Sequence, residues 1–419
     1  MRAAVCPAYG PPEVVRVQDL PSPRPAPGQV RVRVTAAAVN YPDVLLIANR
    51  YQISVPPPFV PGSEFAGVVT ALGDAPDDLA PTSGPGTVGN PDAASDFGRV
   101  SSLGTASNTR SADNPDTAGN SGAASHLGTA GDLGAVTGLG RANSFGTAGD
   151  LGAAHDPGSA GELDTACNLA IGDRVTGTVL HGAFAEEVVV ATGSVARIPD
   201  GIDDRTAAAF GVAHRTAYHA LRSVARVGSG DHVIVLGAGG GVGLAAVQLA
   251  ALLGAEVTAV ASSAAKLEAA ASCGARNLVD HKASGAEHDH ARALREALRA
   301  TVPEGADAVV DPVGGDLSEP ALRSLRRGGR FVTVGYASGT IPRIPLNLVL
   351  VKGIQILGFQ FGDIGPEEFR RHDEELTALL ATGRIRPHIG ATYPLGETAS
   401  ALRQVADGRA IGKILIDPR

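Results

Sequence analysis

Between residues 237 and 266 the chain sets glycines, hydroxyls and a lysine at intervals suited to phosphate chemistry. The stretch GAGGGVGLAAVQLA follows the apolar, β-branched run Val233 to Leu236 without a break. Two registers fit a phosphate-binding turn. Read as GxGxxG, it takes Ala238, Gly240 and Gly243; read as GxxGxxG, it takes Gly237, Gly240 and Gly243. In either register Gly240 lets the backbone approach a pyrophosphate, and Gly243 lets a helix pack closely on a sheet. The first helical N–H groups, from Gly241, Val242 and Gly243, face the anion.

The elements needed to hold such a turn are present on both sides. Val233 to Leu236 has the length and branching of a strand buried on both faces. Leu244 to Leu253 lacks proline and glycine and carries one polar residue, Gln248, before Gly254 stops it as a helix C-terminal glycine does. Val257 to Val260 supplies a second strand, giving a βαβ unit with its glycines in the dinucleotide-binding position. At the end of that strand an NAD site would place a carboxylate for the ribose hydroxyls. Ala261, Ser262 and Ser263 stand there instead, with Lys266 just after. Two hydroxyls and an ammonium suit a 2′-phosphate, so NADPH is expected over NADH. Ser262 or Ser263 would equally serve as a helix N-cap.

At 419 residues the chain can form two domains with a sizeable core. The net charge of −8 is localised. Residues 76–168 hold eleven acids and three arginines, and the remainder is balanced at 32 acids and 32 bases, so no basic face for nucleic acid is indicated. That segment is rich in Gly, Ala, Ser, Thr and Asp. SHLGTAGDLGA at Ser125 to Ala135 recurs as NSFGTAGDLGA at Asn143 to Ala153, a period of 18 residues. Two copies with few large apolar residues do not fill a solenoid, and a disordered insertion between two strands is expected. Cys6, Cys167 and Cys273 form no paired motif, which suits a reducing cytoplasm and argues against zinc held by paired cysteines. No signal peptide, spanning helix or membrane partner is expected. The triplet His288 to His290 reads as a solvated face rather than a metal site.

VRVRV at Val30 to Val34, the apolar run Phe65 to Ala71, IGDRVTGTVL and GAFAEEVVVA read as half-buried strands, with prolines at Pro21 to Pro27 and Pro56 to Pro61 marking loops. From about residue 200 strands and helices alternate, as in a doubly wound parallel sheet. Arg326, Arg327 and Gly328 read as the C-terminus of a helix.

AAAVNYPDVLLIANRYQ, PFVPGSEFAGVV, IGDRV, GAGGGVGLAAVQLA, DPVGGD, GRIRPHIG and GKILI occur in this order, and together they resemble the zinc-independent quinone oxidoreductases of the medium-chain dehydrogenase/reductase superfamily. The resemblance covers nearly all of the chain outside the insertion. It implies an α/β protein. A GroES-like β-rich catalytic domain would span residues 1–75 and 169–199, the insertion 76–168, and a Rossmann doubly wound parallel sheet 200–360. Residues 361–419 would return to the catalytic domain.

The superfamily's zinc enzymes carry a catalytic cysteine and a GHE motif where this chain has Asn40 and Ser63, neither a good zinc ligand. The resemblance places Asn40, Asp43 and Tyr51 at the nicotinamide pocket, with Arg50 beside them. Asn40 can donate to a substrate carbonyl and Asp43 can cap the helix that follows Pro42; Tyr51 reads as pocket wall and donor. Asn49 stands where the family often has glycine, and it tolerates a left-handed turn. By the same resemblance Thr216, His281, Val313, Gly335, Tyr336 and Ala337 border the cofactor. His281 replaces the family's usual tyrosine at the adenosine end. Residues 354–362 resemble the edge strand through which the family dimerises.

These features point to NADPH-dependent hydride transfer to quinones or other conjugated carbonyls. An enoyl or acryloyl thioester reductase is the nearest alternative, and an NADPH-binding sensor or scaffold is an alternative of another class.

Overall fold

A computed structural model describes residues 1–73, 169–282 and 290–419. The expected disordered insertion lies outside the described residues. Of the His288–His290 triplet only His290 is described, exposed at the start of the helix His290–Thr301.

The dinucleotide-type sheet has six strands among the described residues. Their order is Asn277–Asp280, Glu256–Ala261, His232–Leu236, Ala306–Asp311, Leu325–Thr333 and Gln355–Gly358. Every neighbouring pair is parallel. The central strand explains the uninterrupted apolar run read from the sequence. Val233 and Val235 enter one core with the helices Asp204–His219 and Gly241–Leu252. Ile234 and Leu236 enter another, with Leu294, Leu298 and Leu322. A strand buried on both faces leaves no position for a polar side chain.

The second sheet follows the order Ile389–Pro394, Lys413–Asp417, Gln29–Val39, Glu64–Leu72, Arg174–Thr178 and Val195–Arg197. Glu187–Ala191 pairs with the first half of Gln29–Val39, and Lys413–Asp417 with its end. The alternation in VRVRV buries Val30, Val32 and Val34. Toward the end of that strand both faces close: Ala37 and Val39 join the sheet's own core, while Ala36 and Ala38 pack with Ala207–Ala213 of the helix Asp204–His219. Glu64–Leu72 and Arg174–Thr178, the strands on either side of the insertion, pair with one another.

One local reading is corrected. Arg326, Arg327 and Gly328 lie in the strand Leu325–Thr333, not at a helix end. The helix stops at Arg323, with Ser324 as its C-cap. A shift in register between Ala306 and Ala308 takes up the extra residues, and Arg326 pairs with Asp307 instead of with helix carbonyls. The edge strand Gln355–Gly358 is also shorter than the apolar run at 354–362, because a 3-10 turn begins at Phe361.

Candidate functional site

The glycine turn sits where the two sheets meet, at the C-terminal end of the strand His232–Leu236, and its glycines have separate tasks. Gly237 has φ +60°, and a Cβ there would meet Val313 at 2.5 Å. Ala238 is fully buried and donates its N–H to Val260 O. The tight-turn glycine is therefore Gly237, which selects the GxxGxxG register. A Cβ on Gly243 would lie 2.1 Å from Gly237 O, so the helix could not approach the strand. Around Gly240 the nearest atom to such a carbon is Gly237 O, at 3.5 Å. Packing does not demand glycine at 240; an approaching ligand would. The helix Gly241–Leu252 has Gly240 as N-cap without a side-chain partner, and the first N–H groups, on Gly241, Val242 and Gly243, lie at its N-terminus.

The strand Glu256–Ala261 ends at Ala261. Beyond it Ser263 caps the helix Ala264–Ser272 by accepting from the Lys266 N–H. Lys266 turns back across the glycine turn, and a Cβ on Gly239 would strike its side chain at 2.5 Å. Its Nζ donates to Ser262 Oγ at 3.2 Å and to Gly408 O. Partial burial lowers its pKa, as does the Lys282 charge. His281 follows the next strand, with its N–H on Ala261 O and its pKa lowered chiefly by burial.

Asp311, buried at the end of Ala306–Asp311, organises the neighbouring loop. It accepts from the N–H groups of Val313 and Gly314 and from Ser318 Oγ. Its pKa is raised by burial against the pull of those bonds. The Gly335 N–H reaches Asp311 O and the Ala337 N–H reaches Pro312 O, while the Tyr336 ring lies over Gly314. Thr216 is buried on the helix Asp204–His219, which packs against Gly241–Leu252.

From the second sheet, Asn40 ends the strand Gln29–Val39 and caps the helix Tyr41–Ile47. Asp43 Oδ2 accepts the Asn40 backbone N–H at 2.7 Å. Its Oδ1 is buried with no hydrogen-bond partner. Burial raises the Asp43 carboxyl to about 7, despite the opposing pull of the Asn40 N–H, the nearby Ser63 hydroxyl and Lys413. The Asn40 amide is held at both ends. Its Oδ1 accepts from Lys413 Nζ at 2.6 Å, and its Nδ2 faces Glu64 Oε2 at 3.2 Å, Ser63 Oγ at 3.3 Å and Ala38 O at 3.4 Å. Tyr51 is half-buried, with its pKa raised mainly by burial. Asn49 adopts φ +50°, and the exposed Arg50 reaches toward Gly339.

The two halves of the site are joined at Gly412 and Lys413. The Gly412 N–H donates to Gly239 O at 2.8 Å, and Gly240 bridges Gly412 in parallel. Lys413 runs across Gly241 and ends on Asn40 and Glu64. The sequence assigns no site role to Glu64, Lys413, Gly412 or Asp311, although each lies in a segment that carries the resemblance, PFVPGSEFAGVV, GKILI or DPVGGD. The only local signal was a charged residue beginning each of two apolar strands, in SEFAGVV and in GKILI. Among the described residues no group of three or more His, Cys, Asp or Glu side chains is arranged to hold a metal ion, and no helix is long and apolar enough to cross a membrane.

Residues 26–85 match the alcohol dehydrogenase GroES-like domain, and residues 241–378 match the zinc-binding dehydrogenase family. The chain is 36% identical to the bovine quinone oxidoreductase-like protein 2 over 250 residues, which is 58% of this chain and 69% of the relative. It is 31% identical to human quinone oxidoreductase over 255 residues, 60% of this chain and 75% of the relative. The Escherichia coli quinone oxidoreductase, solved in complex with NADPH, superposes with a TM-score of 0.69 at 21% identity, covering all of both chains.

Proposed function

Since this chain belongs to the quinone oxidoreductase family of the medium-chain dehydrogenases and reductases, we propose that it transfers hydride from NADPH to quinones or other conjugated carbonyls without zinc. The observation that carries the cofactor choice is Lys266, whose ammonium is bonded to Ser262 beside the phosphate turn, where a ribose-binding carboxylate would otherwise stand. NADPH in the relative of known structure agrees with it. Bound there, NADPH would supply the hydride. The chain's own part is to hold the pyrophosphate at the N-terminus of Gly241–Leu252, the 2′-phosphate at Ser262 and Lys266, and the acceptor oxygen at Asn40.

The zinc named in one family description does not fit the donors present. Asn40 and Ser63 offer an amide and a hydroxyl, and Asn40 Oδ1 and Glu64 Oε2 already surround an ammonium. The edge strand Gln355–Gly358 ends the parallel sheet with Ile356 39% exposed, and the helix Leu346–Lys352 that precedes it exposes Leu346 and Leu350, at 73% and 84%. An apolar edge of this kind supports homodimer formation there.

Replacing Lys266 by Glu puts a carboxylate where the 2′-phosphate would sit. The expected result is a fall of about 10- to 100-fold in kcat/KM for NADPH, the size of a lost charge-assisted hydrogen bond, with NADH retained or improved. Equal losses with both cofactors would remove Lys266 from this role.

A further inference from the structure

An asparagine can hold a reacting oxygen only if its amide is fixed one way round, because Oδ1 and Nδ2 have nearly the same shape. Two neighbours of opposite character impose that choice on Asn40. Lys413 Nζ has only hydrogens to give, so the atom 2.6 Å from it is Oδ1. A carboxylate has only lone pairs, so the atom 3.2 Å from Glu64 Oε2 is Nδ2. The triangle closes with Lys413 Nζ 2.9 Å from Glu64 Oε2, and the side chains of this pair are 4% and 1% exposed. Glu64 is held in turn, its Oε1 accepting the Val212 N–H at 2.7 Å.

The Asn40 amide nitrogen has two hydrogens. One is matched to Glu64. The other has only long contacts, to Ser63 Oγ at 3.3 Å and Ala38 O at 3.4 Å, and Ser63 is half-buried rather than sealed. That second N–H is the one a substrate oxygen can take over at little loss. We propose that Glu64 and Lys413 are positioning residues that fix the Asn40 amide with this N–H presented to the acceptor oxygen, a role that rests on the reading of Asn40 above. The ammonium on Oδ1 also polarises the amide and strengthens its N–H as a donor.

A purely structural ion pair would stabilise the fold without acting through Asn40, and a mutant cycle separates the two roles. The double variant Glu64→Gln/Lys413→Met removes both buried charges together while keeping side-chain length, which avoids stranding either one. It is compared with Asn40→Ala, with the combination of all three substitutions, and with Lys413→Arg. NADPH affinity is read by fluorescence titration, and kcat and KM with a benzoquinone by steady-state assay. The double variant should bind NADPH close to wild type and lose about 10- to 100-fold in kcat, the scale of a misplaced reacting group. In the Asn40→Ala background the same two substitutions should cost nothing further in kcat, and Lys413→Arg should keep most of the activity. Full additivity with Asn40→Ala, wild-type kcat in the double variant, or a loss confined to NADPH affinity would each overturn the positioning role while leaving the proposed function standing. A wild-type protein that binds NADPH but reduces no quinone or enone would overturn both.

Discussion

Gly243→Ala should abolish useful dinucleotide binding, raising the Kd for NADPH by about 100-fold or more. The added carbon would lie 2.1 Å from Gly237 O and 2.8 Å from Ala238 Cα, and both are backbone atoms of the turn itself. Neither can yield as a flexible side chain could, so helix and turn must separate, and a displacement on the order of 1 Å is enough to lose a preorganised site. Gly240→Ala provides the contrast. With only an ordinary contact at 3.5 Å, it should leave the thermal midpoint near wild type and still weaken NADPH binding, because the ligand rather than the fold requires the missing side chain. Fluorescence titration beside thermal unfolding separates the two variants. Wild-type NADPH affinity in Gly240→Ala would mean that the pyrophosphate does not approach this residue.

Asp43→Asn should stabilise the protein above neutral pH by a few kcal/mol and leave it almost unchanged near pH 4. The folded-state pKa, about 7, lies above the usual carboxylate value, and burial is the main cause. Between roughly pH 4 and 7 the folded chain therefore keeps a proton that the unfolded chain has released. Stability from this group is fully present below the unfolded pKa, falls as pH rises through that window, and is gone above the folded pKa. Asparagine removes the titration and can still accept the Asn40 backbone N–H that Asp43 now receives. Urea unfolding of both proteins at pH 5, 7 and 9 measures the difference. A wild-type protein that gains stability relative to the variant between pH 5 and 7 would show that Asp43 is ionised in the fold, stabilised by Ser63 and Lys413 more than it is penalised by burial.

What could be read from the sequence was local. The turn at Gly237–Gly243, its flanking strands and the Ser262–Lys266 pair all lie within one βαβ unit, where apolar periodicity and glycine spacing are direct signals. A capping role for Asp43 was legible for the same reason, since capping is a property of adjacent residues. The helix, however, begins at Tyr41 rather than after Pro42, its N-cap is Asn40, and Asp43 acts from the third helical position by accepting the Asn40 N–H. The amide of Asn40 was not legible, because its partner Lys413 is 373 positions away, and the pair of Lys413 with Glu64 spans 349. No periodicity connects residues so far apart. The antiparallel pairings of Gln29–Val39 with Lys413–Asp417 on one side and with Glu64–Leu72 on the other bring them together. Arg326–Gly328 misled for a related reason: the helix before them already stops at Arg323, and the contact that holds Arg326 in a strand comes from elsewhere in the chain. Asp307, which pairs with Arg326, belongs to the neighbouring strand.

The proposed reaction is metal-free hydride transfer from NADPH to conjugated carbonyls. Its most direct test is steady-state oxidation of NADPH and of NADH by a panel of quinones and enones, using protein freed of metal by chelation and assayed with and without added zinc. Turnover with quinones, a kcat/KM for NADPH about tenfold or more above that for NADH, and rates indifferent to chelation and to zinc are the predicted result. No acceptor in the panel oxidising NADPH, or activity that appears only when zinc is restored, would contradict it.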